Sequence, residues 1–336
     1  MTPRRDFVHF SGCMLGGAVG DALGGPIEFL SLDEIRKRFG PAGVTDYVER
    51  NAQGLAEFTD DTQMTLFTTE GLLIARQRGS WEPTEAISRG YLRWLRTQRA
   101  RKTGPTGELT REGWLLGIDQ MWKIKAPGNT CLSALESGRR GTPEAPLNNS
   151  KGCGGVMRVA PIGLVFSAEA AFEQAVAAAA LTHGNPSGYL PAGVYAQVIA
   201  GIVQGMDIGQ AVAESLTTLA RWPGHSDTLN AVHMALEAAA KGAPSPETVE
   251  RLGGGWVGEE ALAIALYCAL CYPHDFTAGV LLAVNHSGDS DSTGSITGSL
   301  LGALLGVQAI PKAWVESMEL RDEIDRMAME LVSANK

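Results

Sequence analysis

The sequence predicts an all-α protein, with helices packed orthogonally in one compact domain over residues 1–336. Two observations predict this class. Apolar residues recur at helical spacing through most of the chain, and alternating apolar and polar stretches of strand length are nearly absent. No linker or internal repeat divides the 336 residues, which are enough to bury a large core.

Local signals place the helices in order along the chain. Ser31–Glu34 forms a capping box that opens a short helix, and Gly40-Pro41 ends it. The helices predicted from periodicity are 62–76, 86–95, 168–181, 190–203, 208–220, 227–240, 261–272 and 296–307. Gly-rich loops are predicted at 99–107, 138–155 and 253–258, and long loops in a compact domain are usually functional.

The helix predicted at 296–307 carries an unusual glycine pattern. Gly294, Gly298, Gly302 and Gly306 recur every four residues and therefore share one side of a helix. Each glycine inside a helix costs about 1 kcal/mol relative to alanine. We therefore expect a neighbouring helix to approach this stripe closely.

Net charge, the length of apolar runs and cysteine content bear on the partners and the compartment of the protein. The net charge is −9, so we do not expect the chain to bind nucleic acid or an anionic membrane. No uncharged apolar run reaches the ~20 residues that span a bilayer. The five cysteines are odd in number and widely scattered, which favours a reducing compartment over a disulfide framework. We expect a cytoplasmic protein and a monomer.

Two short segments place carboxylates beside hydroxyls at helix starts. One is Thr59-Asp60-Asp61-Thr62, and the other is 288–294, where Asp289 and Asp291 alternate with serines. Each segment alone is open to a simpler interpretation as a helix cap. Four carboxylates brought together would repel one another strongly unless they bind cations. Oxygen donors without Cys or His suit Mg²⁺, Mn²⁺ or Ca²⁺ better than zinc.

Four sequence blocks, taken together, resemble the ADP-ribosylglycohydrolase family, which includes dinitrogenase reductase-activating glycohydrolase and ADP-ribosylarginine hydrolases. The blocks are GCMLGGAVGDALGGPIE at 12–28, TDDT at 59–62, NSKGCGGVMR at 149–158 and GDSDSTG at 288–294. Each block is weak alone, but their order and spacing match over nearly the whole chain. The resemblance implies an all-α fold with two Mg²⁺ ions, or Mn²⁺ as the alternative, at the base of a cleft.

The resemblance also implies which residues hold the ions and act on the substrate. Thr59, Asp60 and Asp61 would hold one ion, and Asp289, Asp291 and Ser292 the other, with Asp291 bridging. Many members of the family have Thr at the position of Ser292. Asp60 or Asp61 would accept a proton from the attacking water, and Glu28 would act on the scissile side. The alternative for Glu28 is an exposed loop carboxylate with no role in the reaction. Asp21 is expected to be structural and to cap or brace the loops beside the metal ions.

The third block predicts a loop whose backbone N–H groups cradle a diphosphate. The candidate substrate contacts are Ser150, Lys151, Gly152, Cys153 and Gly154, together with His183, which resembles a cleft histidine of the family. Many relatives have Gly-Asn-Gly where this chain has Gly152-Cys153-Gly154. Arg158 is expected to hold this loop in place and not to contact the substrate. Trp256 could either flank an adenine or pack in the core.

The resemblance implies a hydrolase that removes ADP-ribose from modified proteins, with an ADP-ribosyltransferase or its target as further partners. The form of the 288–294 block is similar to the arginine-specific hydrolases, so ADP-ribosyl-arginine is the expected substrate. The alternatives are another linkage (serine, O-acetyl-ADP-ribose or a nucleic-acid base), an immunity protein that occupies an ADP-ribosylating toxin, and a non-catalytic structural protein. A thiol nucleophile at Cys153 is a further alternative, although no partner His is identifiable from the sequence.

Overall fold

The computed structural model describes residues 3–79, 82–99 and 112–334. All regular structure in these ranges is helical, apart from two isolated β-bridges, which confirms the predicted all-α class. The predicted loop at 99–107 lies outside the described residues from residue 100 onward. The helices are α1 (Phe7–Gly24), α2 (Leu32–Phe39), α3 (Asp60–Gln77), α4 (Pro83–Arg99), α5 (Asn129–Glu136), α6 (Ala160–Val165), α7 (Ala168–Ala180), α8 (Pro186–Val203), α9 (Ile208–Leu219), α10 (Ser226–Ala240), α11 (Pro246–Leu252), α12 (Gly258–Cys271), α13 (Phe276–Val284), α14 (Ser290–Leu305), α15 (Lys312–Glu316) and α16 (Arg321–Ala334).

Most predicted helices agree with the structure in their interiors and differ from it at their ends. The capping box of α2 is present, since Ser31 N donates to Glu34 Oε2 at 2.9 Å and Glu34 N donates to Ser31 Oγ at 3.3 Å. The main correction is at α14, which begins at Ser290 rather than at 296. It begins there because the side chain of Asp289 caps the helix inside the acidic block. Among the described helices, none has both the length and the apolar character needed to cross a bilayer.

The glycine stripe of α14 packs closely against another helix, as the sequence predicts, and the structure identifies that helix as α1. A β-carbon on Gly298 would overlap the carbonyl oxygen of Gly16, and one on Gly302 would overlap that of Gly12. The same relation holds in reverse for the α1 glycines, so the two backbones touch along several turns. Gly306 is the exception within the predicted stripe, because it ends the helix with φ +81°.

Helix α1 itself is not predicted by the periodicity of the sequence. Its glycines lower the intrinsic helix propensity of the segment, and its buried residues surround the helix instead of forming one stripe. Burial on all sides against its neighbours offsets that cost. The C-terminal end of α1 meets the N-terminal end of α14, since a β-carbon on Gly24 would overlap Ser290 O. This contact positions the two acidic segments relative to one another.

Candidate active site

The start of α3 is held by a carboxylate from α1. The backbone N–H of Thr59 donates to Asp21 Oδ1 at 2.8 Å, and that of Thr62 donates to Asp21 Oδ2 at 3.0 Å. The Thr62 hydroxyl also donates to Asp21 Oδ2, at 2.6 Å. Asp21 therefore braces the start of α3 by accepting from its first-turn amides, which agrees with its expected role, while Thr59 is the N-cap residue. The carboxylates of Asp60 and Asp61, in the first turn, remain free to face the cleft.

The start of α14 is fixed by the loop that precedes α12. Asp289 N donates to Gly254 O at 2.8 Å, while Asp289 Oδ1 accepts from Ser292 N at 3.3 Å. Gly288 precedes Asp289 with φ +151°, a conformation that favours glycine. Asp291 follows in the first turn, where the helix dipole favours a negative charge.

The two helix starts meet in one cleft of about 460 Å³. The carboxylate oxygens of Glu28, Asp289 and Asp291 lie within 4.8 Å of one another. The cleft is lined by the predicted residues Glu28, Asp60, Asp61, Cys153, Gly152, Gly154, His183, Asp289, Asp291 and Ser292. Thr59 lies beside this group as the cap of α3, with its hydroxyl accepting from Asp61 N at 3.3 Å.

The donor set fits divalent cations. Asp61 Oδ1 and Asp291 Oδ1 are buried and have no hydrogen-bond partner in the part of the chain that the structure describes. A buried carboxylate oxygen without a partner is costly, and a bound cation would satisfy it. The acidic and hydroxyl side chains of the cleft offer oxygen ligands, as Mg²⁺ or Mn²⁺ prefers, and Cys153 and His183 also line it.

The electrostatics of the cleft point the same way. Burial, and after it the charge of Asp291, raises the pKa of Asp60, Asp61 and Asp289 well above its usual range. The same two causes raise the pKa of Glu28 to about 8. Without a cation the ionised forms of these carboxylates are disfavoured, so positive charge placed among them would be stabilising.

The Gly-rich loop borders the cleft and is attached to the Trp256 loop. Cys153 N donates to Trp256 O at 3.2 Å. The Cys153 thiol donates to Asp289 Oδ2 at 2.7 Å. Burial, and after it the charge of Asp289, raises the pKa of this thiol well above its usual range. Cys153 is therefore held as a protonated donor, which argues against the thiol-nucleophile alternative.

Two predicted substrate contacts of this loop do not face the cleft. Lys151 Nζ pairs with Asp227 Oδ2 at 2.7 Å, because its side chain points towards the start of α10. Its backbone oxygen accepts from Gly258 N at 2.8 Å, so Lys151 anchors the loop instead. Ser150 is not among the residues that line the cleft, and its hydroxyl lies 3.2 Å from that of Thr130, which does line it.

An aromatic pair lies at the mouth of the cleft, and one of its members, Phe29, is not indicated by any pattern in the sequence. Phe29 and Trp256 stack with ring centroids 5.1 Å apart, and both line the cleft. Phe29 is 73% exposed and Trp256 42% exposed, so Trp256 does not pack in the core, and its place on the cleft is compatible with the alternative that it flanks an adenine. Phe29 has φ +70°, a strained conformation for a non-glycine residue. The 126–131 segment, which also lines the cleft, was missed too.

The fold and the site define an all-helical protein, in the ranges that the structure describes, with an acidic cleft that could bind metal. The sequence profile of the ADP-ribosylglycohydrolase family matches residues 2–336. ADP-ribosylhydrolase ARH3 of Mus musculus is 25% identical, over 97% of this chain and 92% of its own. ADP-ribosylarginine hydrolase Tri1 of Pseudomonas putida is 26% identical, over 98% of this chain and 80% of its own. A solved ADP-ribosylglycohydrolase-related protein complex has 26% identity and a TM-score of 0.69, covering 99% of each chain.

The chain belongs to the ADP-ribosylglycohydrolase family. Family membership supports a glycohydrolase that acts on ADP-ribose linkages, with ADP-ribosylated substrates as its partners. The family is generally metal-dependent, and the acidic cluster described above could bind metal.

Proposed function

We propose that this protein is an Mg²⁺-dependent hydrolase that releases ADP-ribose from ADP-ribosylated arginine, and that the whole chain acts as one domain. One observation carries the proposal: buried carboxylates from opposite ends of the chain share one cleft, with two oxygens lacking a partner among the described residues. Thr59, Asp60 and Asp61 would hold one cation, and Asp289, Asp291 and Ser292 the second, with Glu28 close to the second set. Bound cations would supply positive charge and Lewis acidity that orient the distal ribose hydroxyls and the attacking water.

The chain's own residues would then carry out the remaining steps. Asp60 or Asp61 would accept a proton from the attacking water, whose oxygen bonds to the anomeric carbon as the C–N glycosidic bond breaks. That proton would return to the leaving nitrogen, giving ADP-ribose and free arginine. Gly152 and Gly154 leave room at the cleft wall for a diphosphate, since neither carries a side chain.

Two features of the cleft mouth support an arginine leaving group. Glu28 places a half-buried carboxylate there, and the exposed Phe29 ring lies directly beside it in sequence. A guanidinium group is recognised both by carboxylates and by aromatic faces. Tri1, whose name records an ADP-ribosylarginine substrate, aligns with 98% of this chain.

The direct test compares the hydrolysis of differently linked ADP-ribose substrates with and without metal. Purified protein would be incubated with arginine-, serine- and base-linked ADP-ribose and with O-acetyl-ADP-ribose, each with Mg²⁺, Mn²⁺ or EDTA. We expect ADP-ribose and unmodified arginine, identified by mass, only when metal is present. Faster release from another linkage would overturn the arginine assignment, and full activity in EDTA would overturn the metal assignment.

A second prediction concerns the aromatic pair. Replacing Phe29 by alanine removes a cation–π partner worth about 0.5–2 kcal/mol, so KM for ADP-ribosylarginine should rise by roughly twofold to thirtyfold. Trp256→Ala should act in the same direction, because it removes the ring on which Phe29 rests. Steady-state kinetics with arginine- and serine-linked substrates would measure both effects.

Phe39→Ala provides the matched control. Phe39 is another partly exposed phenylalanine, at the end of α2, and it does not line the cleft. Its loss should leave KM unchanged. Equal KM increases for arginine- and serine-linked substrates in Phe29→Ala would contradict a role for the pair in selecting the leaving group.

A further inference from the structure

Residues 126–131 form one wall of the cleft, and the chain just before them contacts the start of α3. Lys125 O accepts from the backbone N–H of Asp60 at 2.9 Å, and Gly128 N donates to Asp60 Oδ2 at 3.5 Å. Asp60 is the first residue of α3, so its N–H has no acceptor within the helix. The backbone of this proposed metal ligand is therefore held by the carbonyl of Lys125.

The segment that supplies this carbonyl has few attachments of its own. Residues 123–128 form no helix or strand. Of residues 122–130, all of which the structure describes, Lys125 alone is buried. Gln63 of α3 makes one further attachment, since its Nε2 donates to Lys123 O at 3.1 Å. The position of the segment therefore depends on the groups around a buried ammonium and not on apolar packing.

Two glutamates surround the Lys125 ammonium. Lys125 Nζ donates to Glu319 Oε2 at 3.2 Å and to Glu57 Oε2 at 3.0 Å, and it lies 5.5 Å from the centre of the Phe58 ring. Lys123, whose side chain is 45% exposed, contacts the same two carboxylates. Glu319 is only 1% exposed, whereas about a third of the Glu57 side chain is exposed. Glu319 is therefore the counter-ion of Lys125 that water cannot replace.

Glu319 lies near the other end of the chain, between α15 and α16. Its backbone N–H donates to Ala56 O at 3.0 Å, and Ala56 N donates to Ser317 O at 2.7 Å. These backbone bonds place the carboxylate beside the segment that leads into α3, and they do not involve the carboxylate itself. We therefore expect residues 317–319 to keep their place when the charge of Glu319 is removed.

We propose that Glu319 is a positioning residue for the metal centre. Its carboxylate holds the Lys125 ammonium, and the Lys125 carbonyl in turn holds the backbone of Asp60 beside the cleft wall. Neither Glu319 nor Lys125 lines the cleft, so both act through Asp60. The inference rests on the proposed function in one respect, since it takes Asp60 to be a cation ligand. Groups that orient a metal ligand from behind typically change metal affinity by about ten- to a hundredfold.

The link between Glu319 and Asp60 can be measured without metal or turnover. In EDTA, Glu319→Gln in the full-length protein should speed hydrogen exchange at the Asp60 amide by about tenfold, because the Lys125 carbonyl that protects this amide is no longer held in place. Peptides that cover residues 126–131 should exchange faster as well. Unchanged exchange at the Asp60 amide would overturn the proposal.

Metal affinity tests the consequence for the cleft. Titration with Mn²⁺, followed through the electron paramagnetic resonance signal of free Mn²⁺, should show binding weakened by about ten- to a hundredfold in Glu319→Gln. Wild-type affinity in this variant would contradict the positioning role.

Glu70→Gln is the matched control. Glu70 is buried like Glu319, pairs with Arg93 Nε at 2.8 Å and does not line the cleft. Its loss should lower the melting temperature, because a buried charge is left unpaired, and should leave Mn²⁺ affinity and exchange at Asp60 unchanged. Equal losses of affinity in Glu70→Gln and Glu319→Gln would show a general effect of breaking buried ion pairs and would count against the proposal.

Lys125→Met provides the second arm. Because Glu319 acts through Lys125, Lys125→Met should also weaken Mn²⁺ binding, and adding Glu319→Gln should then have no further effect. Losses that multiply in the double variant would contradict the link. The double variant leaves no charge of this buried pair without its partner, so it reports on the same quantities if Glu319→Gln alone does not fold. Failure of the wild-type protein to bind Mn²⁺ would count against the proposed function, and exchange at Asp60 would still decide the positioning role.

Discussion

Asp291→Asn is expected to lower hydrolysis by at least about a hundredfold and to raise the melting temperature of the metal-free protein. Asp291 is the carboxylate whose charge raises the pKa of each of its neighbours in the cleft. Those neighbours are Asp21, Glu28, Asp60, Asp61 and Asp289. Removing its charge weakens cation binding and relieves repulsion among buried like charges. Loss of function together with a gain in stability is typical of a strained active site.

Thermal unfolding with Mg²⁺ and with EDTA would measure both effects. The wild-type protein should be stabilised by Mg²⁺, because a ligand that binds only the folded state raises the free energy of unfolding. Asp291→Asn should lose most of this gain. Asp322→Asn, an exposed aspartate on α16, is the control and should behave like the wild type. Unchanged hydrolysis in Asp291→Asn, or a wild-type melting temperature indifferent to EDTA, would rule out the metal centre.

The metal-free protein should also respond to pH in a defined direction. The folded-state pKa is raised to about 7 for Asp21 and to about 8 for Glu28, chiefly by burial. A carboxylate with a raised pKa binds more protons in the folded state, so its contribution to stability is present at low pH and is lost as pH rises. In EDTA, the melting temperature should therefore fall between pH 5 and 8. The decline should be smaller in Asp291→Asn.

Gly298→Ala is expected to destabilise the protein by about 3 kcal/mol or more. The new methyl group would overlap the backbone of Gly16 on α1, and backbone cannot move aside as a flexible side chain can. The α1–α14 contact would have to open, and the acidic helix starts at one end of it would separate. Urea unfolding would measure the free energy, and the Mg²⁺-induced shift in melting temperature would report on the metal centre.

Gly209→Ala is the matched control for this substitution. Gly209 lies exposed near the start of α9, and a β-carbon there would meet only Asp207 Oδ1 at 3.4 Å. Alanine is the better helix former by up to about 1 kcal/mol, so this variant should be as stable as the wild type or more so. A similarly small effect for Gly298→Ala would show that α1 and α14 are not in close contact.

The features that depend on neighbours in sequence were predictable. Helix periodicity placed the helix interiors, and the paired Asp residues marked the starts of α3 and α14 because capping and the helix dipole act within one turn. The glycine stripe predicted a close helix contact without identifying the partner. The sequence lacks any pattern for α1, where burial on every side overrides low helix propensity.

Apart from the convergence of the two acidic segments, the features that depend on distant residues were not predictable. Phe29 and Trp256 come from loops far apart in the chain, and neither loop carries a pattern that would bring the two rings together. Lys151 was expected at the substrate because it lies in the Gly-rich block, yet an acidic residue on α10 draws its side chain outwards. Glu28 was expected at the site only through the family resemblance, and no local pattern indicates that it lies close to Asp289 and Asp291.

The contact between α1 and α14 has a consequence for how a substrate could enter. At the glycines main-chain atoms lie against main-chain atoms, so no side chain at those positions could change its rotamer to let the two helices slide. Asp21 and Asp291 consequently sit on what behaves as a single stiff frame. We expect the cleft to open and close through movement of the loops that carry Phe29 and Trp256. The distance between the N-terminal ends of α3 and α14 should stay unchanged throughout a catalytic cycle.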